Sequence, residues 1–215
     1  MGKVYVDISM SLDGYAAGPD ADMENPLGVG GMQLHEWIFG LESWREPHGL
    51  DGGDSTVDNE VVREGQAAQG AVVMGRRMYS GGSGPWEQDP NADGWWGEEP
   101  PFRVPVFVLT HHARERKPMP GDLDFTFVTD GLEAALEHAR VAAGEKDVLV
   151  AGGADVVQQA LAAGLVDEVQ VHIAPVLLGS GVRLFDNLGA DVKVEPDRVI
   201  ESPNVTHVRY RVVKR

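Results

Sequence analysis

The chain has 215 residues, with 18 Lys and Arg against 34 Asp and Glu for a formal net charge of −16; its 42% apolar and 24% charged shares are those of an ordinary globular protein with one buried core, not of a disordered chain. Zero cysteines exclude a disulfide framework, a thiolate nucleophile and a Cys-based zinc site, and make an intracellular setting the expectation. The acidity repels nucleic acid, Asp7 interrupts the only apolar stretch of the N-terminus, and no run approaches ~18–20 apolar residues, so the expectation is a cytoplasmic protein that neither crosses a membrane nor binds nucleic acid.

Residues 3–10 alternate, with Val4, Val6, Ile8 and Met10 on one parity, which predicts a half-buried strand ended by Ser11-Leu12-Asp13-Gly14. From 17 to 54 the turn-rich runs around Gly18, Gly28 and Gly52 predict loop with a short helical segment over 34–44. Ser55 or Thr56 can cap a helix through about 69 that Gly70 stops. Ala71–Gly75 then reads as a wholly apolar strand, the kind found in the middle of a sheet covered on both faces. After a second irregular region, 79–103, strands are predicted over Val104–Thr110 and Asp124–Thr129. A helix over Leu132–Ala143, a strand over Asp147–Ala151 and a helix over Ala154–Ala163 complete an alternating α/β pattern. Val166–Ala174 and Asn204–Lys214 alternate with no helix between them, which predicts an antiparallel end to one mixed sheet in a single domain, 1–215.

Three strand ends carry the residues most suited to chemistry. In Val150-Ala151-Gly152-Gly153-Ala154-Asp155 a buried strand passes through two glycines into a helix, where free N–H groups attract phosphate; a tight βα turn with Asp155 as a favourable first-turn acid is the alternative. This is not the Gly-x-Gly-x-x-Gly fingerprint of a Rossmann domain. Met74-Gly75-Arg76-Arg77 places two guanidinium forks after another buried strand, suited to a phosphate monoester such as a nucleotide 2′-phosphate, unless they are a solvated basic pair. Thr110-His111-His112 ends a third strand and offers a hydroxyl and imidazoles to the same ligand, or to water.

Asp13 ends the first strand, where a carboxylate can anchor a polar substrate or pass on a proton, or simply form an Asp-Gly turn. The remaining histidines, His35, His48, His138, His172 and His207, are scattered without metal-ligand spacing, so no catalytic metal is expected. No Gly-x-Ser-x-Gly elbow is present. The five tryptophans lie between 37 and 96 and read as core or dimer contacts, with one or two available to wall a flat pocket.

Together these segments resemble the dihydrofolate-reductase-like superfamily, and more closely the reductase domain of bifunctional bacterial riboflavin-biosynthesis deaminase-reductases. The resemblance rests on Ser11-Leu12-Asp13-Gly14-Tyr15, Val72–Arg77, Val106–Thr110, Val150–Ala154, Gly164–Glu168 and Ala174–Gly181, which run in family order across nearly the whole chain. It implies an α/β fold with a mixed, mostly parallel sheet flanked by helices, and NADPH as cofactor. By position, Gly75, Arg76, Arg77, Thr110 and His111 resemble the side that holds the adenosine 2′-phosphate, Gly152, Gly153, Ala154 and Asp155 the diphosphate turn, and Ala16 and Ala17 the loop at the nicotinamide. Folate reductases proper carry an acid on the first long helix; the matching region here is the insert 19–54, in which no acid aligns. The zinc-binding deaminase half is absent from the sequence.

The resulting expectation is an NADPH-dependent reductase that transfers a hydride to a C=N or C=O bond of a small heterocyclic or ribityl-bearing substrate, similar to 5-amino-6-(5-phosphoribosylamino)uracil reductase or dihydrofolate reductase, with Asp13 anchoring substrate or relaying a proton. The rival is an NADP(H)-binding protein of the same fold without turnover, a sensor or relic; a hydrolase on a similar scaffold is a third. A homodimer is expected, because such relatives pair through their sheets and segment 166–184 offers an apolar strand and loop.

Overall fold

The computed structural model describes residues 2–22, 24–96, 100–118, 123–189 and 191–214; residue 23 of the first irregular region and 97–99 of the second lie outside them. In chain order the elements are β1 (Val4–Ser11), β2 (Tyr15–Ala17), α1 (Glu36–Phe39), α2 (Glu42–Arg45), α3 (Val57–Ala68), β3 (Gln69–Gly75) and α4 (Arg76–Ser80). There follow β4 (Val106–Leu109), β5 (Lys117–Pro118), β6 (Asp124–Val128), α5 (Leu132–Ala143), β7 (Asp147–Gly152), α6 (Ala154–Ala162), β8 (Glu168–Ala174), β9 (Val182–Arg183), β10 (Val194–Glu201) and β11 (Thr206–Val212).

Among the described residues nine strands form one sheet in the order β10-β11-β8-β1-β7-β3-β4-β6-β5. The six from β8 to β6 run parallel, while β11 joins β8, β10 joins β11 and β5 joins β6 antiparallel, as the sequence pattern predicts for the end of the chain. The path explains the layering. From β1 to β3 to β4 the chain advances across the sheet with α3 and α4 on one face, and it returns through α5 to β7 and through α6 to β8 on the other. Right-handed crossovers demand this exchange of faces when the direction reverses.

Two apolar layers result. Val4, Val6, Val73, Val148 and Val150 point into the layer under α5 and α6, together with Leu136, Ala139, Val157 and Leu161. Tyr5, Val72, Met74, Val106 and Val108 point the other way, onto Tyr79, Trp86 and Phe125. Such double-sided burial is what the unbroken apolar runs of β3 and β7 require.

Four expectations are corrected. β1 is an interior strand, paired to both β7 and β8, so Val4, Tyr5 and Val6 are all buried and its first half is not one-sided. Gly70 does not stop α3; it lies one residue into β3, where a Cβ would come within 2.6 Å of Lys146 Cβ and 3.0 Å of Ala143 Cα. The Thr56 hydroxyl makes no cap hydrogen bond to α3. The apolar strand in 166–184 is not offered to solvent: β8 sits between β1 and β11 with Val169, Val171 and Ala174 buried, and only the loop after it exposes Leu177, Val182 and Phe185. Among the described residues no helix is long and apolar enough to cross a membrane.

Candidate functional site

The parallel strands β1, β7, β3 and β4 are neighbours, so their carboxyl ends present Ser11, Gly152, Gly75 and Leu109 in that order along one edge. The chain leaves β7 toward the face of α6 but leaves β1 and β3 toward the face of α3 and α4. Connections that part to opposite faces open a crevice at the strand ends, the place where open α/β sheets bind ligands. In this topology the connections part at the end of β7, at the two glycines singled out in the sequence.

The glycines differ in what surrounds them. Gly152 has φ +125°, a conformation that L side chains rarely adopt, and a Cβ there would meet Ile8 and Met78 at 3.5 Å. Gly153, at φ −63°, is the N-cap of α6, and a Cβ on it would meet nothing within 4 Å. The Gly152–Gly153 peptide is cis. Beside them a Cβ on Gly75 would stand 2.9 Å from Val156 Cγ2 and 3.8 Å from Gly153 N, so the end of β3 needs glycine to lie against this turn. The N–H groups of Val156 and Val157 return to the Gly153 carbonyl, at 3.0 and 3.3 Å. The first N–H groups of a helix have no intrahelical acceptor and carry its positive dipole end, so this turn is able to hold an anion. Ala154 is buried beneath it and Asp155 is exposed.

The two adjacent arginines part company. Arg76 is 6% exposed and its guanidinium lies 3.2 Å from the Trp86 ring centroid. Its Nη2 donates to Asp89 Oδ2 at 2.5 Å and its Nη1 to Ser80 Oγ at 3.1 Å, while Ser80 donates to the same Asp89 oxygen at 2.7 Å. Burial pulls the Arg76 pKa down from its usual value and Asp89 opposes that shift. The expected two-arginine fork is therefore corrected: Arg76 is an internal lock that fastens the irregular segment after α4, and Arg77 alone is exposed. Arg114 also stands over the Trp86 ring, 4.8 Å from its centroid, and Trp86 donates its indole N–H to the His112 carbonyl at 2.8 Å. The sequence reading missed Asp89 and Trp86 as partners of Arg76.

Thr110 is buried, and its Oγ1 accepts the His112 N–H at 3.1 Å, shaping the turn that leaves His111 exposed next to the end of β3. At the other end of the row, the Asp13 carboxylate is engaged by its own neighbourhood. Oδ1 accepts from Ser11 Oγ at 2.6 Å and from the Leu178 N–H at 3.1 Å, and Oδ2 from the Gly179 N–H at 2.7 Å. The Ser11 hydroxyl, ahead of those two N–H groups, lowers the Asp13 pKa. Ala16 and Ala17 lie in β2, which pairs with β9 directly after this loop. A Cβ on Gly181 would fall 2.2 Å from the Ala17 carbonyl oxygen, so the two segments are in backbone contact. Asp13 thus ties the end of β1 to the loop after β8.

The structure brings the predicted segments to one edge of a doubly wound sheet, where a glycine turn meets a helix N-terminus. The chain belongs to the RibD C-terminal domain family, whose model matches residues 2–208, and with it to the dihydrofolate-reductase-like fold. Among solved structures it is similar to a riboflavin biosynthesis protein from Shewanella sp. PV-4 (21% identity, 99% of each chain, TM-score 0.61). It is also similar to a pyrimidine reductase-like protein from Corynebacterium diphtheriae (15% identity, 100% of this chain and 93% of that one, TM-score 0.55). A third is the diaminohydroxyphosphoribosylaminopyrimidine deaminase/5-amino-6-(5-phosphoribosylamino)uracil reductase from Thermotoga maritima (18% identity, TM-score 0.57), of which the match covers 57% against 99% of this chain. No curated protein sequence matches the chain.

Proposed function

We propose that this chain is an NADPH-dependent reductase that delivers a hydride to a C=N or C=O bond of a small heterocyclic or ribityl-bearing substrate. The observation that carries the reading is the row of strand ends, in which Asp13, Gly152–Asp155, Gly75–Arg77 and Thr110–His111 follow one another along the carboxyl edge of β1, β7, β3 and β4. The open space above Gly153 fits a diphosphate, because a cradle that any Cβ would fill is kept clear beside the first N–H groups of α6. Arg77 and His111 lie at the two strand ends beyond it and would take the 2′-phosphate; Ala16 and Ala17 would back the nicotinamide. When bound, the cofactor supplies the hydride, and the protein supplies alignment and exclusion of water.

Asp13 enters as a positioning residue. A carboxylate that accepts three hydrogen bonds, with its pKa lowered, is a poor proton donor and a good tether. Asp13→Asn is expected to lower kcat through loosening of the loop at 175–181 while NADPH affinity stays within about twofold, which steady-state kinetics and cofactor titration would separate. Equal loss of both would remove Asp13 from this role.

Stopped assays of NADPH oxidation across pterins, ribityl-bearing pyrimidines and flavins test the reading directly. Turnover of one class supports it; tight NADPH binding with no turnover on any supports the non-catalytic rival. Arg77→Ala is expected to reduce the preference for NADPH over NADH by about 10- to 150-fold, the worth of one charge-assisted hydrogen bond of about 1.5–3 kcal/mol. Equal affinities for the two cofactors in the unaltered protein would refute the phosphate assignment. A homodimer is part of the proposal, supported by Leu177, Val182 and Phe185, each exposed in the segment that follows β8. Light scattering should then give twice the 23.2 kDa of one chain, and a monomer mass at micromolar concentration would exclude it.

A further inference from the structure

A second polar cluster lies away from that edge, on the face of the sheet covered by α1 and α3. His172 on β8 stands directly opposite His207 on β11, and their Nδ1 atoms are 2.6 Å apart. Each ring reaches a carboxylate through its other nitrogen: His172 Nε2 is 2.6 Å from Asp7 Oδ1 on β1, and His207 Nε2 is 2.9 Å from Asp58 Oδ1 in the first turn of α3. His172, His207 and Asp58 are 5%, 2% and 2% exposed. Trp37 of α1 covers both rings, with centroids at 4.8 and 5.3 Å, and gives its N–H to Ser9.

The distances fix the proton count. Each of the three short contacts along Asp7, His172, His207 and Asp58 needs one hydrogen, so the chain holds three protons. Two neutral imidazoles between two ionised carboxylates bring only two, and would leave a pair of nitrogen lone pairs, or a carboxylate and a ring nitrogen, facing each other unbridged. A fourth proton would set two N–H groups against each other at the centre. We propose that His172 and His207 jointly hold one extra proton, so that the Asp7–His172–His207–Asp58 chain acts as a proton-bound clamp joining β1, β8, β11 and α3.

Charged and polar groups surround the pair. Along the same face, Gln170 donates to Asp7 Oδ2 at 3.1 Å, Lys3 pairs with Glu168, and Arg209 is engaged by Glu64 and Asp197. From the turn at Gly31–His35 the other titratable group is His35, whose Nδ1 is buried without a partner and whose pKa burial holds down. Burial likewise pulls His207 below the ordinary 6.5 and the neighbouring His172 adds to this, against the raising effect of Asp58. With one proton already held by the pair, this resists a second, which the unfolded chain takes up freely. The clamp is therefore expected to loosen as pH falls below about 6.5, where the unfolded chain takes up two histidine protons and the clamp admits one, and to loosen again once pH rises far enough to remove the one it holds.

Nitrogen-15 labelling of histidine in the full chain tests the count without any substitution. At about pH 7 the two Nε2 atoms or their carboxylate partners, and one bridging Nδ1 site, should be protonated, with a single strongly deshielded bridging hydrogen that His207→Gln removes. Two unprotonated Nδ1 atoms in the unaltered protein would overturn the proposal. Hydrogen exchange supplies the second arm. Between about pH 7.5 and about pH 5, after correction for intrinsic rates, amides of α3 and β11 should open at least about tenfold more than those of α5. A uniform response across the three elements, or one abolished by His35→Asn, would overturn the clamp.

Discussion

Gly153→Val is expected to abolish NADPH binding while leaving the protein folded. Gly153 has an ordinary negative φ, and a Cβ added there meets no atom within 4 Å, so the folded chain has room for the branch. That same room is the space over the α6 N-terminus that a diphosphate must enter to reach the backbone N–H groups, and two methyl groups would occupy it. Two neighbouring glycines supply the controls. Gly152→Val and Gly75→Val should both destabilise the fold, the first through its φ of +125° and the second through collision with Val156. Circular dichroism with cofactor titration distinguishes the cases, and unchanged affinity in a folded Gly153→Val protein would remove this turn from the site.

The glycine turn was legible in the sequence because local signals agree there: an unbroken apolar run, two glycines, then a helical pattern closed by Gly164. Leu132–Ala143 was legible for the same reason, and the structure has the helix over those residues. Where a residue's role depends on a partner distant in the chain, the sequence was silent. Arg76 and Arg77 read alike as a pair, but successive residues of a helix point about 100° apart, and α4 turns one inward to Asp89 and the other to solvent. Asp89 lies in an irregular stretch whose path no periodicity predicts. β10 was unread because its exposed edge carries Glu195, Asp197, Arg198 and Glu201 with Pro196 at a bulge, features that guard an edge strand against pairing and mask its pattern. The histidine pair was hidden for a different reason. The alternation of 166–174 and 204–214 already put His172 and His207 on the polar parity of two strands, but only the register between β8 and β11 sets them opposite each other.

Asp89→Ala is expected to cost about 3–5 kcal/mol of folding stability, the loss typical when one partner of a buried ion pair is removed. Arg76 and Asp89 have side chains only 6% and 3% exposed, so water cannot replace the missing carboxylate around the guanidinium. The loss would reach further than one contact. The Asp89 carboxylate also accepts from Ser80 Oγ at 2.7 Å and from the Asn91 N–H at 2.9 Å, so its removal unfastens α4 from the turn that follows Trp86. In a chain of this size such a change should lower Tm by about 6–20 °C. Stacking of Arg76 on Trp86 would survive the substitution, yet it does not neutralise the charge and offsets only about 0.5–2 kcal/mol. A double variant separates charge from packing. Arg76→Met with Asp89→Leu removes both ions and keeps apolar volume, and should be more stable than Asp89→Ala alone, because no uncompensated charge is left inside. If the double variant is the less stable of the two, the ion pair is not what holds this segment, and the weight shifts to the aromatic contacts of Tyr79, Trp86 and Phe127.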